Sequence, residues 1–425
     1  MNNYDLIIVG GGIAGYHTAF TARQNCADMR ILVISGETVP TYSAPSLPDY
    51  IAGHMKREKA FVASEADYAA KNIDLQLGVT VTSADAEKKT LVTDKGETYT
   101  YKHLVLATGS LPIQLRRMQG TSLPGNHVLK TVQDADFLAT GDIKCAVVVG
   151  TGAIGLESAS SLKERGVESV TLVEALEWIN PKSFDKKASD YMVAELERIG
   201  VRVVLGEGIT SVEGDTCVTG VHTSKQFIPC DTVVWGIGMR PVTDLAASMG
   251  VELGSAGGVK VDELMRTNLP DVYAVGDCTE PYDMFFQKYM PNMLWRTATE
   301  QGMLVGQLVT GAADEEDAYE GAKLLVLTYV GDAVACAYGH TEGSLQGQKY
   351  TVLEDCQENS YRKVILQNNY IMGFQMVNTL EGSNELYAQM LKGMPVDLGD
   401  ADLSDPTNTP LKYLCLGKYL LQMHS

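Results

Sequence analysis

The chain opens with an apolar, largely β-branched run, Asp5-Leu6-Ile7-Ile8-Val9, and changes abruptly to Gly10-Gly11-Gly12-Ile13-Ala14-Gly15. A short continuous apolar run bounded by glycine predicts a strand buried on both faces, not the alternating pattern of a half-exposed one. Tyr16 to about Arg23 predicts a helix and Ile31-Leu32-Val33-Ile34 a second buried strand; Glu37 follows 27 positions after Gly10. The same order returns 140 residues later. Ala146-Val147-Val148-Val149 predicts a strand, Gly150-Thr151-Gly152-Ala153-Ile154-Gly155 a turn, and Leu156 to about Arg165 a helix stopped at Gly166. Ser169-Val170-Thr171-Leu172-Val173 is the next strand, and Glu174 closes it 24 positions after Gly150.

Each unit is a strand, a glycine turn, a helix and a strand ending near a carboxylate, which is the order of a dinucleotide-binding βαβ element. Gly10 permits the tight turn, Gly12 lets the backbone approach a pyrophosphate, and Gly15 lets the helix pack close to the strand. The unpaired amides at the helix start then face the phosphates. One such loop is a weak signal. Two copies, each with its strand, helix and terminal carboxylate, predict that the chain binds two dinucleotides.

Three further segments punctuate the chain. Tyr101–Ser110 predicts a buried strand ending in the small-residue turn Ala107-Thr108-Gly109, and Asp231–Gly238 is its counterpart after the second repeat. Thr267–Asp277 predicts another strand, ending in Gly276-Asp277, where the aspartate is positioned to accept hydrogen bonds from a sugar-alcohol chain. Beyond about residue 321 the pattern shortens to alternating strands (Leu324–Val330, Lys363–Gln367, Tyr370–Met376) and a helix near Ser383–Lys392.

Composition narrows the partners. At about 150 residues per domain, a length of 425 predicts two or three domains. Acidic residues outnumber basic ones to a net charge of −19, which excludes nucleic acid and anionic membrane as main partners. No apolar run reaches the length of about eighteen residues that a spanning helix needs. Strand-like sequence begins at once, so no cleavable signal is expected and a cytoplasmic location is predicted. The eight cysteines contain no C-x-x-C pair, and neither they nor the seven histidines cluster with metal-binding spacing. No metal site is expected.

In this combination the sequence resembles the FAD-dependent pyridine nucleotide–disulfide oxidoreductase superfamily. The matching elements are Gly10–Gly15, Ala107-Thr108-Gly109, Gly150–Gly155 with Glu157, Gly236–Pro241, Thr267–Asp277 and Trp295–Gly302. The resemblance implies an α/β fold of two Rossmann-like dinucleotide-binding domains and a C-terminal α+β interface domain. The FAD domain would be split into 1–111 and 243–320, the NAD domain would span 112–242, and the interface domain 321–400. It implies an FAD site at Gly10, Gly12, Ala14, Gly15, Glu37, Val81, Ala107, Thr108, Gly109, Asp277 and Ala298. The NAD(H) site would comprise Gly150, Gly152, Ile154, Gly155, Glu174 and Gly238. Glu157 matches a glutamate that in relatives lies beside the nicotinamide and flavin, and it is the one catalytic candidate.

One segment selects the branch. Where relatives with a single redox cysteine carry Cys-Gly-Leu-Pro, this chain reads Pro45-Ser46-Leu47-Pro48, and no cysteine occurs between residues 27 and 144. A proline offers no redox atom, so a disulfide relay is excluded. The segment instead resembles the disulfide-free branch of rubredoxin reductases, ferredoxin reductases and nitrite-reductase flavodomains. Where some of these pair the glutamate with a lysine, this chain has Asp49 and Tyr50. The resemblance implies that NADH, preferred over NADPH, passes a hydride to flavin N5. Electrons then go directly to a one-electron acceptor such as rubredoxin or an iron–sulfur partner. The rival readings are an NADH oxidase acting on oxygen or another small acceptor, and a flavin-containing subunit or redox sensor of a larger complex. The basic clusters Lys56-Arg57-Lys59 and Arg116-Arg117 are candidate receivers of an acidic carrier.

Residues 401–425 extend beyond the family pattern. An acidic, turn-rich connector precedes the apolar segment Leu411–Leu421, which is expected to dock on its own chain, on a second copy as a homodimer, or on a partner subunit.

Overall fold

The opening apolar run forms a strand, Asn3–Val9, whose last residues are buried on both faces, as a continuous hydrophobic stretch demands. The computed structural model describes residues 2–323 and 325–396. Contacts divide the chain into two units: Met1–Leu47, Met55–Pro112 and Met239–Leu324 form one, and Pro48–His54, Ile113–Gly238 and the described part of Leu325–Ser425 form the other.

In the first unit, Asn3–Val9 pairs in parallel with Ile31–Ser35 on one side and Thr98–Leu106 on the other. Ile73–Leu77 extends the sheet beyond Ile31–Ser35, and the short strand Val272–Ala274 pairs with the end of Thr98–Leu106. Strand order reverses at Asn3–Val9, because the chain builds outward on one side and then returns to the other. In an open parallel sheet, the crevice at the carboxyl ends beside such a switch is where ligands bind. The antiparallel pair Val81–Asp85 and Thr90–Thr93 completes the seven-stranded sheet.

The helices Ile13–Asn25 and Trp295–Leu308 cross closely in this unit. Glycine allows it. A Cβ at Gly302 would lie 2.4 Å from the Ala14 carbonyl oxygen, and one at Gly306 would lie 2.7 Å from the Thr21 Cβ.

The second unit repeats the parallel arrangement in five strands. Val201–Val204, Ser169–Val173, Cys145–Val149, Thr232–Trp235 and Asn126–His127 stand in that order, with the reversal at Cys145–Val149. The same unit contains a five-stranded antiparallel sheet ordered Val326–Val330, Ala333–Gly339, Tyr370–Val377, Tyr361–Gln367 and Thr351–Cys356. The helix Ser383–Lys392 packs against its Tyr370–Val377 strand. A buried ion cluster ties this sheet to the helix Lys186–Arg198. Lys363, 1% exposed, lies 2.8 Å from the Asp185 carboxylate at the helix N-cap and also pairs with Glu342. Gln375 completes the cluster by donating to Asp185 at 2.7 Å.

The architecture is α/β. One element is shorter than its sequence pattern predicts: of Thr267–Asp277, only Val272–Ala274 is a regular strand. Pro270 precedes Asp271, whose φ is +60°, and the Thr267 N–H closes a turn on the Val272 carbonyl, so the first half folds back. The docking segment Leu411–Leu421 and the connector before it lie outside the described residues.

Candidate functional site

The first cradle is made by backbone proximity. Gly10 has φ +122°, and a Cβ there would lie 2.0 Å from the Ala107 carbonyl oxygen; a Cβ at Gly15 would lie 2.1 Å from the Gly10 carbonyl oxygen. These positions exclude every other residue. Gly12 differs, since a Cβ there meets nothing within 4 Å. It caps the helix Ile13–Asn25 with no side-chain hydrogen bond, so the first-turn amides have no side-chain cap. Uncapped helix amides beside a glycine with room around it are the chemistry that accepts a pyrophosphate.

Around this cradle the structure gathers several of the named residues. A Cβ at Gly276 would lie 3.0 Å from the Ala14 Cβ and 3.6 Å from the Ala298 Cβ, so Ala14, Gly276 and Ala298 converge. Ala107 is buried and its N–H donates to the Val9 carbonyl, while Thr108 donates through Oγ1 to the Val242 carbonyl at 2.6 Å. Gly109, at φ +71°, faces open space. Asp277 follows Gly276 in a tight turn and accepts the Ser110 hydroxyl at 2.7 Å. Gln301 positions that turn: its Oε1 accepts the Gly276 N–H at 2.7 Å. Its Nε2 is buried with no partner among the described residues. An orphaned buried donor beside the Gly276-Asp277 turn, together with the open space at Gly12, fits an FAD whose polar chain passes here.

Two more of the named residues are held by other contacts. Glu37 is exposed and accepts the Tyr42 hydroxyl at 2.9 Å, two residues beyond the strand end at Ser35. Ser35 stands closer to the loop; a Cβ at Gly11 would touch its side chain at 2.9 Å. Val81 is 8% exposed and belongs to the hydrophobic core under the sheet.

The second cradle repeats the first. A Cβ at Gly150 would lie 2.5 Å from the Gly236 carbonyl oxygen, one at Gly155 would lie 2.0 Å from the Gly150 carbonyl oxygen, and one at Gly152 meets nothing within 4 Å. Gly152 caps the helix Ala153–Glu164 without a side-chain hydrogen bond. Ile154 sits in its first turn, where its carbonyl accepts the Ser158 hydroxyl at 2.6 Å. Gly238, at φ +114°, accepts the Ile113 N–H through its carbonyl. Glu174 leans back over the loop. One of its oxygens accepts both the N–H and the hydroxyl of Thr151, at 3.0 and 2.6 Å, and the other accepts the Leu176 N–H at 3.0 Å. These bonds hold a negative charge beside the glycine turn, with acceptor capacity left for ribose hydroxyls.

Glu157 lies one turn further along this helix and is half-buried. Its Oε1 accepts the Thr328 hydroxyl at 3.2 Å, from the strand Val326–Val330. Desolvation pushes its pKa up to about 7; the Thr328 hydroxyl and Tyr329 N–H oppose the shift, and the nearby Asp49 carboxylate adds to it. A carboxyl that titrates near neutrality in a partly closed setting is a functional candidate on physical grounds.

The Ala44–Ser46 turn carries Pro45 where a redox cysteine would stand, and Ser46 donates to Ser43 at 2.7 Å. Cys278, next to Asp277, is fully buried, and its Sγ contacts the Leu106 and Val275 carbonyls. Burial pushes its thiol pKa up, so it is a packing residue and not a nucleophile. Arg296 is engaged with Glu300 at 2.7 Å, and Arg57 lies over the Phe61 ring.

Thr151, Ser110, Gln301 and Thr328 escape the sequence reading. Each acts by orienting a motif residue 23 to 171 positions away. Thr151, inside the glycine loop, and Gln301, inside the Trp295–Gly302 element, lie within recognised segments, but no local pattern reveals their partners.

The family model described as pyridine nucleotide-disulphide oxidoreductase matches residues 4–302. The chain is 32% identical over 315 residues to an NADH oxidase from Methanocaldococcus jannaschii, covering 72% of this chain and 70% of that one. It is 31% identical over 428 residues to the ferredoxin reductase subunit of 5,5'-dehydrodivanillate O-demethylase from Sphingobium, covering 97% and 99%. Among solved structures, a ferredoxin reductase from Rhodopseudomonas palustris superposes with a TM-score of 0.83 at 25% identity, covering 97% of this chain and 100% of that one. A family model spanning residues 4–302 and a relative 31% identical across nearly the whole length of both chains show that the chain belongs to the pyridine nucleotide-disulphide oxidoreductase family.

Proposed function

We propose that this chain is an FAD-dependent NADH oxidoreductase that passes electrons directly to a one-electron acceptor, with no cysteine relay. The observation that carries the reading is the pair of cradles, open at Gly12 and Gly152, in a chain without cysteine between residues 27 and 144. We assign Gly10, Gly12, Ala14, Gly15, Glu37, Val81, Ala107, Thr108, Gly109, Asp277 and Ala298 to FAD, and Gly150, Gly152, Ile154, Gly155, Glu174 and Gly238 to NAD(H). The functional domains follow as 1–111 with 243–320 for FAD, 112–242 for NAD, and 321–400 for the interface domain.

Bound FAD would supply what no side chain here offers, acceptance of a hydride and release of electrons one at a time. The protein's own part is to bind and orient. The first-turn amides of both loop helices hold phosphates, Asp277 holds a polar chain, and Glu174 reads the adenosine ribose.

The acceptor we favour is a small iron–sulfur or rubredoxin-type carrier, supported by the near full-length likeness to a ferredoxin reductase subunit. The second reading, an NADH oxidase, is supported by the archaeal relative and by the net charge of −19, which repels an acidic carrier at low salt. Among the described residues no helix is long and apolar enough to cross a membrane. A cytoplasmic setting fits the free thiols of the described cysteines. Association as a homodimer or with a partner subunit is assigned to the C-terminal region, where the sheet's edge strand exposes Leu327 and Tyr329.

Anaerobic NADH should bleach the flavin absorbance, and a separate dithionite titration of the oxidised protein should show an uptake of two electrons per chain. Reoxidation by an oxidised one-electron iron carrier should outpace reoxidation by air. Faster reoxidation by air would favour the oxidase reading, and failure of NADH to bleach the flavin would overturn both.

A further inference from the structure

A cavity of about 170 Å³ opens in the first unit, and none of its lining residues belongs to either glycine cradle. The antiparallel pair Tyr282–Asp283 and Lys288–Tyr289 forms one wall. Its reversal is tied by Asp283, whose Oδ1 accepts the Phe285 and Phe286 N–H groups at 3.0 and 2.9 Å. Tyr282 and Tyr289 stand opposite each other in register, and their rings meet edge to face with centroids 5.3 Å apart. Tyr319 brings a third ring to the cavity; its N–H donates to the Glu263 carbonyl at 2.7 Å. Gly321, at φ +101°, lets the chain pass close beneath. A Cβ there would lie 2.5 Å from the Met284 Cγ and 3.0 Å from the Tyr282 carbonyl oxygen. Met284 and Tyr289 stay exposed along the opening.

The charge of the lining has one sign. Asp262, Glu263 and Glu320 contribute carboxylates, and no lysine, arginine or histidine is among the described residues that line it. The cations nearby are engaged: Arg266 with Glu315 at 2.7 Å, Lys323 with Glu320 at 3.0 Å, and Lys288 over the Phe286 ring. Asp262 spends one oxygen on the Leu264 and Arg266 N–H groups. Glu263 has no ion-pair partner among the described residues.

We propose that this cavity binds a small alkylated ammonium ion, a quaternary or tertiary amine head of about the size of choline. A cavity of roughly 150 Å³ takes a benzene-sized guest, so the space suits a compact head group and not a nucleotide. Tyrosine rings attract a cation through their electron-rich faces, and the methyl groups of an alkylated ammonium bury against the same rings. Carboxylates at the rim add long-range attraction and repel anions. A bare metal ion fits poorly: hard cations demand several converging oxygens, and the described residues contain no cluster of acidic, histidine or cysteine side chains able to hold one. The site is independent of the dinucleotide assignments.

The test is calorimetry on the FAD-loaded protein at low ionic strength with three solutes. These are choline, its neutral isostere in which a tert-butyl group replaces the trimethylammonium, and potassium chloride. Choline should bind at one site per chain with a Kd on the order of 1 mM, and the isostere at least about tenfold more weakly. Potassium chloride should give no saturable heat. Tyr289→Leu should weaken choline binding about tenfold, whereas Tyr289→Phe, which keeps the ring, should retain most of it. Glu263→Gln should weaken choline about threefold and leave the isostere unchanged. FAD content and flavin reduction by NADH should be the same in all three variants, which separates loss of the site from loss of the fold. Absence of saturable choline binding up to about 50 mM overturns the proposal. So does an isostere that binds as tightly as choline, or a choline affinity that neither Tyr289→Leu nor Glu263→Gln changes.

Discussion

The hydroxyl of Thr151 donates to the carboxylate of Glu174 at 2.6 Å, and the Thr151 N–H reaches the same oxygen. The glycine loop and the acidic residue that closes the next strand are therefore one rigid object. On the proposed NAD(H) assignment of this loop, the Glu174 carboxylate would repel an adenosine 2′-phosphate, and none of Ala175, Leu176 and Glu177 is a cation that could accept one. NADH should reduce the flavin at least about tenfold more efficiently than NADPH, measured as second-order rates by stopped flow. Thr151→Val should weaken NADH binding by about tenfold, because Glu174 loses its strongest tether while the Leu176 N–H remains. Equal rates with the two nucleotides would refute the role of Glu174.

The glycines of each loop separate into two kinds with opposite mutational signatures. A Cβ at Gly15 collides with backbone at 2.1 Å, whereas one at Gly12 enters open space. Gly15→Val should fail to fold or melt far below the parent. Gly12→Val should keep its circular dichroism spectrum yet lose FAD, since its side chain occupies the place of the pyrophosphate. Chromatography of the cofactor released on denaturation checks this directly. A Gly12→Val protein that still carries one FAD per chain would contradict the assignment of this loop.

The contrast between those glycines and Glu157 explains what could be read from sequence. The turn, the close helix–strand approach and the buried parallel strands are local demands, satisfied only by certain residues at fixed spacing. Both βαβ units were therefore legible to within a few residues. The orientation of Asp277 by Ser110, of Glu157 by Thr328, and of Asp185 by Lys363 depends on partners 167 to 178 positions apart. No periodicity encodes such pairings. Thr267–Asp277 shows the same boundary from the other side. Its β-rich composition predicts a long strand, but the turn at Pro270-Asp271 leaves three regular residues.

Thiol chemistry should be dispensable. Of the described cysteines, Cys217 and Cys356 are exposed, while Cys230, Cys278 and Cys336 are buried. Burial pushes the Cys230 and Cys336 thiols up to about 12. Under native conditions an aromatic disulfide reagent should label Cys217 and Cys356 rapidly and leave the buried three unmodified until denaturant is added. The labelled protein should reduce a one-electron dye with NADH at an unchanged rate. Loss of that activity in step with labelling would reveal a thiol in turnover.

Lys363 anchors the C-terminal sheet by charge in a place where water cannot replace it. Its ammonium group is the common partner of Asp185 and Glu342, and Asp185 also accepts from Gln375. Lys363→Met should lower stability by about 3–5 kcal/mol, since it leaves Asp185 without its cation in a largely buried site. Adding Asp185→Asn should recover part of the loss, which urea unfolding of single and double variants measures as a coupling energy. Additive losses would show that the two residues act independently.

Glu157 also carries a thermodynamic signature that needs no nucleotide. Its carboxyl is raised to about 7 in the folded chain, chiefly by desolvation, against an ordinary value of 4.5. The folded state thus binds its proton more tightly than the unfolded state does. For a raised carboxyl, the contribution is most favourable below the unfolded value and is lost as pH climbs to the folded value, then stays level. Glu157→Gln keeps an oxygen acceptor for the Thr328 hydroxyl and the Tyr329 N–H but cannot ionise. The variant should match the parent near pH 4.5, the ordinary value. It should then gain on the parent as pH rises to about 7, by on the order of 2 kcal/mol, and hold that advantage at higher pH. Chemical denaturation of both proteins across this range checks it. Parallel stability curves would mean that Glu157 ionises as freely in the folded protein as in the unfolded chain, and that the half-buried setting imposes no cost on its charge.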